Sequence, residues 1–299
     1  MKPAGLPLLL TLAMAGCSST PQPEPPPPTE SQSLDRSARL AFLQGQYAQA
    51  ATLYEAALNE ALAEDMPQAI IDARFNLALS QTYLGQYTDA LAQLASADAE
   101  RSRRGLGPDP ELALLEATIH YRAQRPDEAQ AILDRLLRSA ALTPATAAKA
   151  HFVAGLIAAD RNDAQGIRAH LDALVPDGSP GAAADHFELQ GRLAAINGAP
   201  DDALRLLDQA VAARSLERDY RGMSRVLAAA GDLAERVGRY ASAGDYLLRA
   251  GRSAAQREDP QARTWLERAR DLGARSGDAA LAAEATATLH QLDKGGNPK

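Results

Sequence analysis

Residues 45–57 read GQYAQAATLYEAA, residues 85–97 read GQYTDALAQLASA, and residues 238–250 read GRYASAGDYLLRA. The shared phrase is Gly-x-Tyr-x-x-Ala, then an aromatic or leucine four residues on, then Ala. Tyr54, Leu94 and Leu247 fill the large position, and Ala57, Ala97 and Ala250 the last small one. Spacings of three and four put these side chains on one face of a helix. A phrase that returns at a near-constant interval means stacked copies of one supersecondary unit, not one globular core.

Working outward, the small position recurs at Ala50, Ala90, Ala129, Gly166, Ala203 and Ala243, a step of 37 to 40 residues. Glycine precedes it at Gly45, Gly85, Gly198 and Gly238, where the left-handed conformation that ends a helix carries no Cβ penalty. Gln124 and Arg161 stand at that position in the third and fourth units, and Pro126 and Asp163 where tyrosine is expected. In the fifth unit Pro200 replaces the tyrosine and Gly191 sits at a helix-packing position. Breakers such as Gly107-Pro108-Asp109-Pro110, Thr143-Pro144 and Asn197-Gly198-Ala199-Pro200 divide the chain at the same places. Two further helices are expected near 260–276 and 279–292, parted by Gly277-Asp278, with Trp265 in the first.

Composition agrees. Hydrophobic residues make up 46% of the 299 residues and aromatics only 4%, and no window alternates with period two, so the chain reads as all-α. A formal net charge of -7 argues against a nucleic-acid partner, which requires a concentrated basic face. There are 27 Arg against four Lys (Lys2, Lys149, Lys294, Lys299), a bias expected of a GC-rich genome.

The pattern resembles the tetratricopeptide repeat, whose unit is two antiparallel helices, A and B, crossing at small residues. The resemblance covers residues 34–257 and implies a right-handed α-solenoid of about six hairpins. Residues 258–293 then form a capping helix pair and 294–299 a frayed tail. The units exceed the family standard of about 34 residues. In the family, helix A lines the concave face. Counting back from the turns places Arg39, Phe42, Asp72, Phe75, Leu79 and Tyr83 there, followed by Tyr121, Arg122, Arg192, Arg225, Asp232 and Arg236. Aromatic and arginine side chains are favoured anchors for a bound partner. Asn76 alone echoes the subgroup that clamps a terminal carboxylate, and no Lys accompanies it, so that subtype is not expected.

The N-terminus has a different character. Met1 and Lys2 precede an apolar run from Leu6 to Ala13, and Met14-Ala15-Gly16-Cys17 follows. This is signal-peptide architecture over residues 1–16, and the last four residues resemble a bacterial lipobox. The resemblance implies that Cys17, the chain's single cysteine, is lipidated and anchors the mature protein. Several acyl chains on one residue give the stable attachment that one chain does not. Ser18 stands where Asp signals inner-membrane retention in enteric lipoproteins, which points to the periplasmic face of the outer membrane. Residues 17–33 form a linker with six prolines between Ser18 and Ser33, a polyproline spacer reaching roughly 50 Å.

The sequence carries no signature of catalysis. His120, His151, His170, His186 and His290 are isolated, with no i,i+4 pair and no HExxH, so no metal site is expected. No phosphate-binding glycine loop and no GxSxG elbow occurs, and the carboxylates spread along solvated faces. The expectation is a non-enzymatic envelope lipoprotein without cofactor, a scaffold that holds a protein or peptide. Tetratricopeptide lipoproteins of this kind serve pilus and secretin assembly or recruit peptidoglycan enzymes. The alternative is a periplasmic glycan- or solute-binding component that uses the same concave groove.

Overall fold

The structure is a computed structural model, and it describes residues 29–174 and 178–295. These form fourteen helices and no strand among the described residues. They pair into seven hairpins: α1 (Glu30–Leu43) with α2 (Tyr47–Ala63), α3 (Pro67–Tyr83) with α4 (Tyr87–Arg103), and α5 (Pro110–Arg122) with α6 (Pro126–Leu136). Next come α7 (Pro144–Asp160) with α8 (Ala164–Ala173), α9 (Pro180–Ile196) with α10 (Pro200–Leu216), and α11 (Tyr220–Arg236) with α12 (Tyr240–Ala255). The last pair is α13 (Gln261–Ser276) with α14 (Ala279–Gly295). Each helix packs on its chain neighbours, and α5, α7 and α9 also touch in series. The buried residues fall into five successive clusters rather than one core. The chain is therefore an α-solenoid of helical hairpins.

Local chemistry sets the boundaries. Proline opens α3, α5, α6, α7, α9 and α10, at the position where a missing N–H costs nothing. Asp109, Thr143, Asp163, Ser179 and Asp219 accept hydrogen bonds from the first turns that follow them. Thr29 and Gln32 form a reciprocal capping box, so helix begins at Glu30, four residues before the Leu34 expected and two after the last linker proline in sequence. At the other end α14 runs on through Lys294 to Gly295, past the boundary expected at 293.

The three-residue turns close in one way. Gly45 N–H donates to the Phe42 carbonyl and Gln46 N–H to that of Ala41, with Gly45 at φ 77°. This satisfies carbonyls that a helix end leaves free. Gly85 repeats the turn, and in the third unit Gln124 adopts φ 59° in its place. In the fourth unit the left-handed residue is Asn162 at φ 57°, not Arg161. Helix B there is displaced by one residue, and the small-residue slot holds Ile167, fully buried, rather than Gly166. Gly166 instead passes close to Asp163 and the Ala158 methyl.

Elsewhere the crossing positions are as expected: Ala50, Ala90, Ala129, Ala203 and Ala243 are all 0% exposed. Gly191 and Gly231 supply the matching clearance on helix A, where a Cβ would come within 2.9 Å of Leu207 and 2.8 Å of Leu247. The last pair caps the stack, with Leu266, Ala269, Leu272 and Leu281 buried in one cluster with Leu247 and Leu248. Ala90→Leu, placed where α4 meets α3, is expected to cost about 1–3 kcal/mol by overpacking. Chemical denaturation followed by helical circular dichroism measures it, and an unchanged midpoint would contradict the register.

Candidate functional site

The N-terminal hairpins and the sixth repeat meet across the concave side. At the end of α3 the rings of Phe42, Tyr47 and Tyr83 form an aromatic cluster with centroids 4.6 to 5.2 Å apart. Into it reaches Arg221, from the first turn of α11. Its guanidinium stacks 4.4 Å from the Tyr83 ring and 5.2 Å from that of Tyr47. It also donates to the Tyr83 carbonyl and pairs with Asp259 at 2.9 Å. A cation is well placed at Tyr83, because the last carbonyls of α3 carry the negative end of the helix dipole. Pro260 packs over Gly85 beside this clasp, where an added Cβ would lie 3.2 Å from it. The clasp joins residues 138 positions apart in the chain.

Behind the clasp lies a cavity of about 700 Å³. Phe75 and Leu79 of α3, Leu114, Leu115, Tyr121 and Arg122 of α5, and Phe152 and Leu156 of α7 wall it, with Arg221 and Arg225 of α11 and Trp265 of α13. A second recess of about 1000 Å³ runs between α1 and α3, lined by Asp35, Arg39, Gln68, Asp72 and Asn76 among others. Phe75 lines both.

One wall rests on a buried ionic network. Glu188 of α9 is 0% exposed and receives Arg225 through Nε at 3.0 Å and Nη2 at 2.8 Å. Arg192 and Arg214 approach it at 3.4 and 3.3 Å. Asp185, one turn earlier, pairs with Arg214 and with Lys149 at 2.8 Å. Burial alone would raise the Glu188 pKa, but the arginines outweigh it and hold the carboxyl at about 2. Phe152 lies between two guanidinium groups, 5.3 Å from Arg214 and 5.4 Å from Arg225. Tyr121 donates its hydroxyl to Asp160 at 2.7 Å.

The residues expected on the concave face divide into groups. Phe75, Leu79, Tyr121, Arg122 and Arg225 meet in the cavity. Arg39 and Asp72 lie in the neighbouring recess, with the Arg39 side chain 67% exposed and 3.6 Å from Asp35. Phe42 and Tyr83 are engaged within the clasp. Arg192 braces Glu188 and Asp160. Asp232 pairs with Arg268 at 2.8 Å, and Arg236 is exposed and lines neither recess. Cys17 and the signal and lipobox residues lie outside the described residues.

The repeat pattern does not single out Arg221, Glu188, Phe152 or the cavity-facing side of Trp265. Trp265 does pack on the capping cluster as expected, but it also faces the cavity. One sequence signal was available for Glu188: a carboxylate beside Leu189 and Gly191 on a face that must be buried. The histidines are not all isolated either. His151 of α7 and His170 of α8 meet with Nδ1 atoms 3.1 Å apart, and burial lowers the pKa of both. No third ligand completes a metal site among the described residues. No helix of the described residues is long and apolar enough to cross a membrane.

Repeated hairpins with small crossing residues, left-handed turn closures and a capped end define a tetratricopeptide-like solenoid. No family profile matches the sequence, and no curated protein matches it. Solved structures of similar shape exist. A tetratricopeptide repeat protein from Parabacteroides merdae is 16% identical over 86% of this chain and 98% of its own, with a TM-score of 0.48. The apo form of RapI is 9% identical over 90% and 78%, with a TM-score of 0.49. Pseudomonas aeruginosa pilF is 17% identical over 76% and 93%, with a TM-score of 0.45.

Proposed function

We propose that this protein is a non-catalytic scaffold of the bacterial envelope, anchored through Cys17 and holding a protein segment on its concave face. The observation that carries the reading is the recess of about 1000 Å³ between α1 and α3, which adjoins the cavity at Phe75. Solenoids use such extended concave surfaces for partner chains. The recess between α1 and α3 offers both charges, with Arg36 and Arg39 facing Asp35 and Asp72, which suits a polar partner segment.

A photo-crosslinking residue at Asn76, which lines that recess, is expected to trap the partner in intact cells, whereas one at exposed Glu55 of α2 is not. The reverse pattern would move the partner surface to the convex side. The trapped partner then decides between pilus or secretin assembly and the gathering of peptidoglycan enzymes.

The anchor rests on the single cysteine after Met14-Ala15-Gly16 and on the proline spacer behind it. With Ser18 next to Cys17, the outer membrane is the proposed location. Cys17→Ala is expected to move the protein out of the outer-membrane fraction, either into the soluble fraction or, uncleaved, into the inner membrane. Unchanged fractionation would end the lipoprotein reading.

A further inference from the structure

Four cationic side chains line the 700 Å³ cavity, and three of them are answered by carboxylates. Arg221 has Asp259, Arg225 has Glu188, and Lys149 has Asp185. Arg122, the last residue of α5, has neither ion pair nor hydrogen bond from its side chain among the described residues. Its one polar contact is the face of the Tyr83 ring, 5.3 Å away. Burial lowers its pKa from the ordinary arginine value. Arg122 is half-buried, and its five N–H donors find no acceptor within the protein, so they are free to take an anionic ligand. The nearby arginines Arg221 and Arg225 disfavour its charge by repulsion, which an anionic head would relieve.

Most of the remaining wall is apolar, with Phe75, Leu79, Leu115, Phe152, Leu156 and Trp265 in it, and Thr118, Gln124, Thr146 and Gln261 add hydroxyl and amide groups. The volume falls within the range of about 300–1,000 Å³ typical of small-molecule sites. Glu111, the other acidic residue of the lining besides Asp259, is exposed, so it does not neutralise the interior. An apolar chamber with one unanswered cation is complementary to an amphiphile with one negative head.

We propose that this cavity binds a small amphiphilic anion, its carboxylate or phosphate head paired with Arg122 and its apolar body lying against Phe75, Phe152 and Trp265. The site is separate from the scaffold reading, because the partner segment assigned to the α1–α3 recess leaves Arg122 unpaired. Planar guanidinium favours a two-oxygen head, which both carboxylate and phosphate supply.

Trp265 is the chain's single tryptophan, so its fluorescence reports occupancy directly. The full chain is titrated with decanoate, decyl phosphate and decanol, each below its aggregation limit. Saturable changes are expected with the two anions, and decanol is expected to bind roughly tenfold or more weakly. The tighter of the two anions identifies the head. Arg122→Met is expected to weaken the anions by about the same factor and leave decanol unchanged. Because the charge it removes has no partner in the protein, it is also expected to melt no lower than the parent chain. Equal affinity for decanol and the anions, no saturable change with any probe, or an Arg122→Met variant that binds anions normally or melts lower would each overturn the proposal. So would a hexapeptide with a free C-terminal leucine carboxylate that displaces both anions at lower concentration, since the cavity would then belong to a protein partner.

Discussion

Replacing Glu188 by Gln is expected to destabilise the protein by about 3–5 kcal/mol, the usual cost of removing one partner from a buried ion pair. The side-chain volume is kept, so packing is not the cause. What is lost is the negative charge that answers Arg225 and Arg214 inside the stack. The pH dependence follows from the same geometry. Glu188 is held at about 2 against an ordinary value of 4.5, so its contribution is fully present above pH 4.5. It falls away as pH drops from there toward 2, because the unfolded chain takes up the proton first. Denaturation midpoints of the parent and Glu188→Gln chains should therefore differ widely at neutral pH and converge in acid. A pH-independent difference would mean that the carboxylate acts through shape and not through charge.

Arg221→Ala should be the second large effect, at about 2–4 kcal/mol. It removes the charge-assisted bond to the Tyr83 carbonyl, the pair with Asp259, and the stacking on Tyr47 and Tyr83. Asp259, with its side chain only 12% exposed, is left without its cation. The consequence is geometric as well as energetic. With the clasp gone, the second and sixth repeats are held across the concave side only by contacts such as Pro260 over Gly85. Small-angle X-ray scattering should show a larger radius of gyration, and Trp265 should fluoresce at longer wavelength as the cavity admits water. Arg221→Lys should recover little, since an ammonium does not reproduce the planar stacking. An unchanged scattering curve for Arg221→Ala would show that the clasp follows the closure and does not cause it.

The hairpins were legible because their causes are local. Ala90 is small where α3 and α4 cross, Gly85 turns where α3 must end, and Pro67 starts a helix where its missing N–H is harmless. The fourth unit misled for an equally local reason. Gly166 looked like the small crossing residue, yet the Asp163 cap and the left-handed Asn162 set helix B one residue later and put Ile167 in the slot. On the concave face, residue type identified Phe75, Tyr121 and Arg122 as cavity lining, but could not tell them from Phe42 and Tyr83, which the clasp occupies. All five are aromatic or cationic side chains on A helices. Glu188 read as one more solvated carboxylate, because Arg214 and Arg225 lie 26 and 37 residues further on.

By itself, then, the sequence determined the unit: two helices, a left-handed turn, a small-residue crossing, and the number of copies. Each depends on interactions a few residues long, so each leaves a mark in a short window. Only the tertiary structure decided that the stack curves until Arg221 meets Tyr83, that a chamber forms behind that contact, and that Arg122 faces it unpaired. Those outcomes depend on small rotations accumulated over several hairpins, and no short window of residues carries their sum.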